Sequence, residues 1–478
     1  MKQLNNLVAG EWIGATSYMA NINPSNTNEV LAECAQASTA DADSAVAAAT
    51  AAFAEWSHIG IQQRSDSIDA IGSEVLSRKD ELGRLLAQEE GKSLPESIGE
   101  VTRAGHIFKY FAGEVLRQVG DHIASVRPGV EIDVTRGPIG VVGIITPWNF
   151  PIAIPAWKIA PALAFGNCVV FKPANLVPGC AWALAEIVHR HLPPGVFNLI
   201  MGSGPVAGNQ LLEDPRVRGV SFTGSVATGS TVAAACSRRG AKFQLEMGGK
   251  NPLIVLDDAD LQTAVSCAIN GAYYSTGQRC TASSRLIVQS GIHDAFVEAL
   301  IAKLKTLRVD DPLKDETDIG PVVDQSQLNQ DLDYIRIGRE EGAELIYGGE
   351  RLERDNPGFF LSPALFVGTK NEMRINREEI FGPVATVIEA DDLEEALVIA
   401  NDTEFGLSAG ICTKSLGSAA RFKRDSQAGM VMVNLPTAGV DYHVPFGGTK
   451  GSSYGSREQG SYAAEFYTTV KTAYTLPQ

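Results

Sequence analysis

Between Gly137 and Trp157 the chain carries no charged residue, and from there to Lys172 it carries only Lys158. These 21 uncharged residues are long enough to cross a bilayer as a helix. However, Pro138, Pro147, Pro151 and Pro155 lie inside the stretch, with Asn149 in its middle. Each internal proline removes a helical hydrogen bond and clashes with the turn before it. A bilayer offers the freed groups no other partner. The stretch therefore reads as a buried, non-helical segment inside a folded globule rather than a membrane span.

Such a segment needs a large core around it. The chain has 478 residues, 44% of them hydrophobic and 20% charged, enough for about three domains. Lys and Arg number 40 against 56 Asp and Glu, a net charge of −16, which argues against a nucleic-acid surface. The opening MKQLNNLVAGEW holds no apolar run of the signal-peptide kind, so a cytoplasmic protein is expected. The seven cysteines are widely spaced without a CxxC, which speaks against a disulfide framework or zinc ribbon. No HExxH occurs, and His189-Arg190-His191 reads as a solvated helix end, so no metal site is expected.

The order of elements indicates an α/β fold. Helical spacing runs through 39–118, starting at Thr39 as a cap and including Leu94–Leu116. The period then changes, and VRPGVEIDVTRGPIGVVGIITP reads as strands around Gly137-Pro138. From 160 to 260 short strands (CVVFK, FNLI, GVSF, NPLIVL) alternate with helices, among them Val206–Leu212, in the rhythm of a parallel sheet covered on both faces. A second alternating stretch runs from about 260 to 433, through SRLIVQ, AELIYGG, ATVIEA and GMVMVN. The tail EFYTTVKTAYTLP reads as one more strand, suited to pair with the 121–143 ribbon.

Ligands of such sheets sit at the carboxyl ends of the strands. GSGPVAG (202–208) is an imperfect glycine motif. The crossover GVSF–Thr223-Gly224-Ser225–helix is stronger, because a helix N-terminus with small residues suits a pyrophosphate. Lys172 ends a neighbouring strand, within reach of ribose or phosphate. Cys280 lies in TGQRCTAS beside Arg279, and an adjacent cation favours a nucleophilic thiolate. Glu246 in QLEMGGK is either a desolvated general base or a solvated turn glutamate. Asn149 is either a satisfied core amide or half of an oxyanion hole. Glu379 in EEIFGPV either accepts from ribose hydroxyls or caps a turn.

Seven segments in order, PWNFP (147–151), FKPAN (171–175), SFTGS (221–225), EMGGK (246–250), GQRCTA (277–282), EEIFGPV (378–384) and PFGGTKGS (445–452), resemble the aldehyde dehydrogenase superfamily over essentially the whole chain. The resemblance implies a Rossmann-type dinucleotide-binding domain (1–120 and 144–254), an α/β catalytic domain (255–433) and an active-site loop (434–456). It also implies a small β ribbon for oligomerisation (121–143 and 457–478), in a homodimer or homotetramer. It implies NAD or NADP as cofactor, and Cys280 as a nucleophile passing through a thiohemiacetal and a thioester. Asn149 then holds the oxyanion with the Cys280 backbone N–H, Glu246 activates water, and Lys158 supports Asn149 from behind. Lys172 and Asn175 match the adenosine-ribose contacts and Gly224 and Ser225 the pyrophosphate site. Trp148 and Gly248 match the cleft wall, Glu379 and Phe381 the nicotinamide-ribose contacts, and Phe150, Trp157 and Phe446 the aldehyde tunnel.

Two departures carry consequences. Asn175 stands where NAD-specific members usually have glutamate, so NADP is less excluded. Thr469 stands where many members have an acid that manages protons, which leaves Glu246 as the expected base. The 433–460 segment resembles the branch acting on α-ketoglutaric semialdehyde, whose carboxylate calls for a cation or several donors. Arg279, Tyr442 and His443 are the candidates for it. Trp157, where succinic semialdehyde enzymes often have arginine, makes succinic or glutaric semialdehyde the secondary expectation. A cysteine acyl hydrolase without redox chemistry is the alternative of another class, but it leaves SFTGS and EEIFGPV without a task.

Overall fold

A computed structural model describes residues 2–477. Two large sheets dominate. The first runs Ser453–Tyr454, Lys242–Glu246, Val217–Thr223, Val141–Ile145, Cys168–Lys172, Phe197–Leu199, Asn6–Val8 and Glu11–Ile13. Its five middle strands are parallel and its edges antiparallel. Strands such as Cys168–Lys172 are buried at every position, as continuous apolar runs in a doubly covered sheet should be. The second sheet runs Glu344–Tyr347, Ala364–Val367, Val384–Ala390, Arg285–Gln289, Pro252–Val255, Ser408–Cys412 and Met430–Val433, all parallel except the first. A three-stranded sheet of Gln3–Leu4, Asn26–Ala35 and Tyr18–Asn23 covers the N-terminal segment, for which the sequence reading had no strands.

Helices Thr39–His58 (α1), Ile61–Ser77 (α2), Lys79–Glu90 (α3) and Leu94–Leu116 (α4) precede the parallel strands. The cap of α1 is Ser38 and not Thr39. Its side chain accepts from Asp41 N while the Asp41 carboxylate accepts from Ser38 N, a reciprocal pair that Thr39, already helical, cannot make. The expected helix over 206–212 is instead a wide helical turn, Gly204–Gly208, that runs into the helix Asn209–Glu213.

The charge-free stretch is not non-helical throughout. Ala153–Ala164 is a helix (α5) with every residue buried. Pro155 falls in its first turn, where no intrahelical donor is needed, so that proline is compatible with it. Among the described residues no helix is long and apolar enough to cross a membrane.

The tail strand Thr468–Thr475 pairs antiparallel with Glu131–Pro138, which pairs in turn with Asp121–Ala124. The ribbon stops sooner than 143, because Val141, Val142 and Gly143 belong to the centre of the first sheet.

Candidate active site

The carboxyl ends of the first sheet face the loop that follows the helix Leu261–Ala272. In that loop Ser275 and Thr276 take left-handed backbone angles (φ 50° and 58°), an unfavourable conformation for side-chain-bearing residues. It is held from outside. Glu96 accepts from Ser275 N and Oγ (3.3 and 2.9 Å), and Thr276 Oγ1 donates to Gly320 O (3.2 Å). A Cβ at Gly277 would strike the Gly382 carbonyl. Gln278 then anchors the loop to its neighbours, its Oε1 accepting from Val323 N (3.0 Å) and its carbonyl from Asn149 Nδ2 (2.9 Å). Cys280 follows, half-buried, its carbonyl held by Asn251 Nδ2 (2.7 Å).

Asn149 is therefore neither solvated nor saturated. One of its two amide hydrogens is spent on Gln278, which turns the amide toward the Cys280 loop and leaves the other for a ligand. Lys92 donates to the Asn149 carbonyl (2.8 Å) and to Glu100 (2.7 Å). Glu100 also accepts from Ile152 N and Ala153 N (3.0 and 3.1 Å). This buried pair staples the Asn149 turn to α4. The sequence reading missed both residues, which only the chain reversal brings near Asn149.

Arg279 does not act on Cys280 as its adjacency suggested. Its guanidinium is bound to Glu96 (2.5 Å) and Asn270 (3.2 Å), so its charge is taken up by Glu96. Burial, Glu379 and Glu246 push the Cys280 thiol up to about 12, while the backbone N–H groups of Cys280 and Thr281 pull the other way. The other six cysteines are buried.

Glu246 ends its strand in a buried position, not a solvated turn. Burial and the Glu458 charge raise its pKa well above the usual range. A hydrogen bond from Ser453 Oγ (2.6 Å), Lys158 and Arg457 oppose the rise. Lys158 is fully buried, paired with Glu458 and donating to Ser221 (2.9 Å). The second acid near Glu246 is thus Glu458, another residue the sequence reading missed. Thr469 lies exposed on the ribbon opposite Gly137, because the chain leaves the site before it, so its identity takes nothing from Glu246.

A cleft of about 600 Å³ opens along the strand ends, lined by Thr146, Trp148, Lys172, Gly208, Gly224 and Ser225 among others. Ser225 caps the helix Val226–Arg239, so its free N–H groups and positive end face the cleft. Lys172 is buried and pushed down to about 8 by that burial. The cleft continues into a chamber of about 170 Å³ bounded by Trp148, Asn149, Gly248, Cys280, Glu379 and Phe381. Glu379 accepts from Gly249 N (2.9 Å), and burial pushes it up to about 7. A Cβ at Gly248 would collide with its carboxylate. Phe381, in the left-handed region (φ 65°), meets the Trp148 ring edge-on at 5.4 Å. Volume, cation and helix terminus fit a dinucleotide whose far end reaches Cys280. Asn175, next to Ala174 of the cleft wall, lines a neighbouring hollow of about 320 Å³ with Met19, Leu176 and Val323.

On the other side of Asn149, Trp157 and Phe446 pack at 5.3 Å, and Arg103 lies 5.7 Å over the Trp157 ring. Phe150 sits under the Lys92 ammonium at 3.8 Å. Tyr442 stacks on His106 (5.6 Å), and the exposed His443 edges against it (5.5 Å). Among the described residues no group of three or more His, Cys, Asp or Glu converges as a metal-ligand set.

The sequence model of the aldehyde dehydrogenase family matches residues 12–473. The alpha-ketoglutaric semialdehyde dehydrogenase of Bacillus subtilis is 44% identical over 99% of this chain and 98% of its own. The structure of betaine aldehyde dehydrogenase from Staphylococcus aureus in complex with NAD+ superposes with a TM-score of 0.97 at 35% identity, over 99% of this chain and 95% of that one. An NADP-dependent enzyme of E. coli gives a TM-score of 0.96 at 34% identity, over 99% and 98%. With motifs, fold and match extending over nearly its whole length, the chain belongs to the aldehyde dehydrogenase family.

Proposed function

We propose that the protein oxidises an ω-carboxylated aldehyde, foremost α-ketoglutaric semialdehyde to 2-oxoglutarate, with NAD or NADP. The observation that carries the reaction class is the chamber in which Cys280, Asn149 and Glu379 meet at the end of a dinucleotide-sized cleft. The identity to the Bacillus subtilis enzyme supports the substrate.

Cys280 is the nucleophile. Its sulfur, with its proton passed to water, bonds the aldehyde carbon as the carbonyl π bond breaks, and the oxygen that becomes negative accepts hydrogen bonds from the free Asn149 amide N–H and the Cys280 backbone N–H. Lys92 and Glu100 fix the turn that presents that amide. Lys172 and the Ser225 helix terminus would hold the dinucleotide's phosphate and sugar groups, and Glu379 and Phe381 its nicotinamide end. A nicotinamide held there would supply the hydride acceptor for oxidation of the thiohemiacetal to a thioester. Glu246 then takes a proton from the water that attacks the thioester carbonyl, which releases the acid and restores the thiol. A carboxylate with raised proton affinity suits that task, and Ser453 keeps it oriented. The Lys158–Glu458 pair offers a charged relay behind it.

The ribbon supports self-association as a homodimer or homotetramer. Ile123, Val470, Tyr474 and Leu476 are exposed apolar residues on or beside its strands.

A panel of aldehydes with each cofactor, followed by the absorbance of the reduced nicotinamide, tests the proposal. A higher kcat/KM on α-ketoglutaric semialdehyde than on pentanal or betaine aldehyde is expected. The reverse order refutes the substrate assignment.

A further inference from the structure

One face of α4 runs along the substrate side of Asn149. Glu96 holds Ser275 and Arg279, Glu100 holds the backbone of Ile152 and Ala153, and His106 stacks on Tyr442. Steps of three and four residues put these side chains in one row. Arg103 is the member of that row between Glu100 and His106.

Its surroundings differ from those of Lys92, Lys158 and Arg279. Lys92 is paired with Glu100, Lys158 with Glu458 and Arg279 with Glu96. Among the described residues Arg103 has no carboxylate in ion-pair contact. One N–H donates to Gln459 Oε1 (3.1 Å), and its Nε is buried without a partner. A desolvated guanidinium carries five donors and is normally satisfied by an anion. Burial pushes its pKa down, while Glu100, Asp441 and Cys280, in that order, pull it back. Its plane lies over Trp157, which leans on Phe446. A guanidinium over the Trp157 ring, which packs on Phe446, offers a carboxylate a forked partner and a methylene chain a surface.

We infer that Arg103 is the specificity residue that receives the substrate's distal carboxylate, with Trp157 and Phe446 packing the chain between that carboxylate and the aldehyde. The inference rests on the proposed ω-carboxylated substrate. It gives the carboxylate a place after Arg279 has been taken by Glu96, and it sets the tunnel against a cationic aldehyde.

The test compares R103M and R103K with the unaltered enzyme on α-ketoglutaric semialdehyde, pentanal and betaine aldehyde. In R103M the ratio of kcat/KM for the semialdehyde to that for pentanal should fall at least tenfold, mainly through KM. The ratio for betaine aldehyde to pentanal should rise. R103K, which keeps the charge but not the fork, should hold part of the first ratio. Ratios that stay constant in both variants, whether activity is kept or lost uniformly, overturn the inference and leave the substrate assignment standing. An unaltered enzyme that does not favour the semialdehyde over pentanal refutes the assignment itself, and the inference with it.

Discussion

Ser453→Ala removes the hydroxyl that donates to the proposed base and accepts from Gly448 N (2.7 Å). Ser453 Oγ donates to Glu246 Oε2 at 2.6 Å, and that bond favours the charged carboxylate. Removing it raises further a pKa that burial and Glu458 already hold well above the usual range. A hydrogen bond to a charged group contributes about 1.5–3 kcal/mol. Ser453 is only half-buried, so water recovers part of this. A net loss of about 1.4 kcal/mol is one pKa unit. Glu246 accepts a proton only when ionised, so activity is lost as pH falls through its pKa. The acid limb of the profile should therefore move up by about one unit, with roughly tenfold lower rates below it and little change on the alkaline plateau. The assay is hydrolysis of a chromogenic ester by stopped flow, because the linear phase after the acylation burst reports deacylation without a redox step. An acid limb that moves down, or a loss equal at every pH, would refute the assignment of Glu246 as the base steadied by Ser453.

Three further outcomes follow from the site and the ribbon. Cys280→Ser should lower dehydrogenase turnover by about three orders of magnitude or more, while NAD+ binding, read by quenching of protein fluorescence, persists. Gly248→Ala should raise KM for the cofactor at least about tenfold with little change in Tm, because the added Cβ displaces the Glu379 carboxylate. Val470→Asp puts a charge on the exposed apolar strand and should shift sedimentation to a smaller species. An unaltered chain that sediments as a monomer contradicts the ribbon's role.

What a motif holds within itself was readable. The strand Cys168–Lys172 has the ends its pattern implies, because a short apolar run is a local signal. The pairing of the tail with the ribbon could also be anticipated from alternation alone. What depends on distant partners was not readable. Arg279 is adjacent to Cys280 in sequence, yet Glu96, 183 positions away, takes its charge. Lys158 meets Glu458 across 300 positions, and Lys92 meets Asn149 across 57. Arg103 carried one signal, its helical spacing from Glu96 and Glu100, but the face of α4 it belongs to has meaning only once the Asn149 turn lies against it.

The absence of charge from Gly137 to Trp157 and the charges gathered around that segment are two sides of one arrangement. The segment itself supplies amide, ring and backbone groups, Asn149, Trp148 and Trp157 among them, which do not compete for protons with a thiol or a carboxylate. Fixed charges enter from other elements: Lys92, Glu100 and Arg103 from the N-terminal helical region, Glu458 from the C-terminal segment. Buried ion pairs add little net stability, because desolvation offsets most of their attraction. Apolar residues of similar volume would keep the core as stable without holding a direction. The Lys92–Glu100 pair binds three backbone groups of the Asn149 turn, and hydrogen bonds of that kind fix a carbonyl and an amide in place where apolar packing fixes only a volume. Arg103, which has no carboxylate in ion-pair contact and whose Nε lacks a partner, is left with donors that a substrate carboxylate would complete.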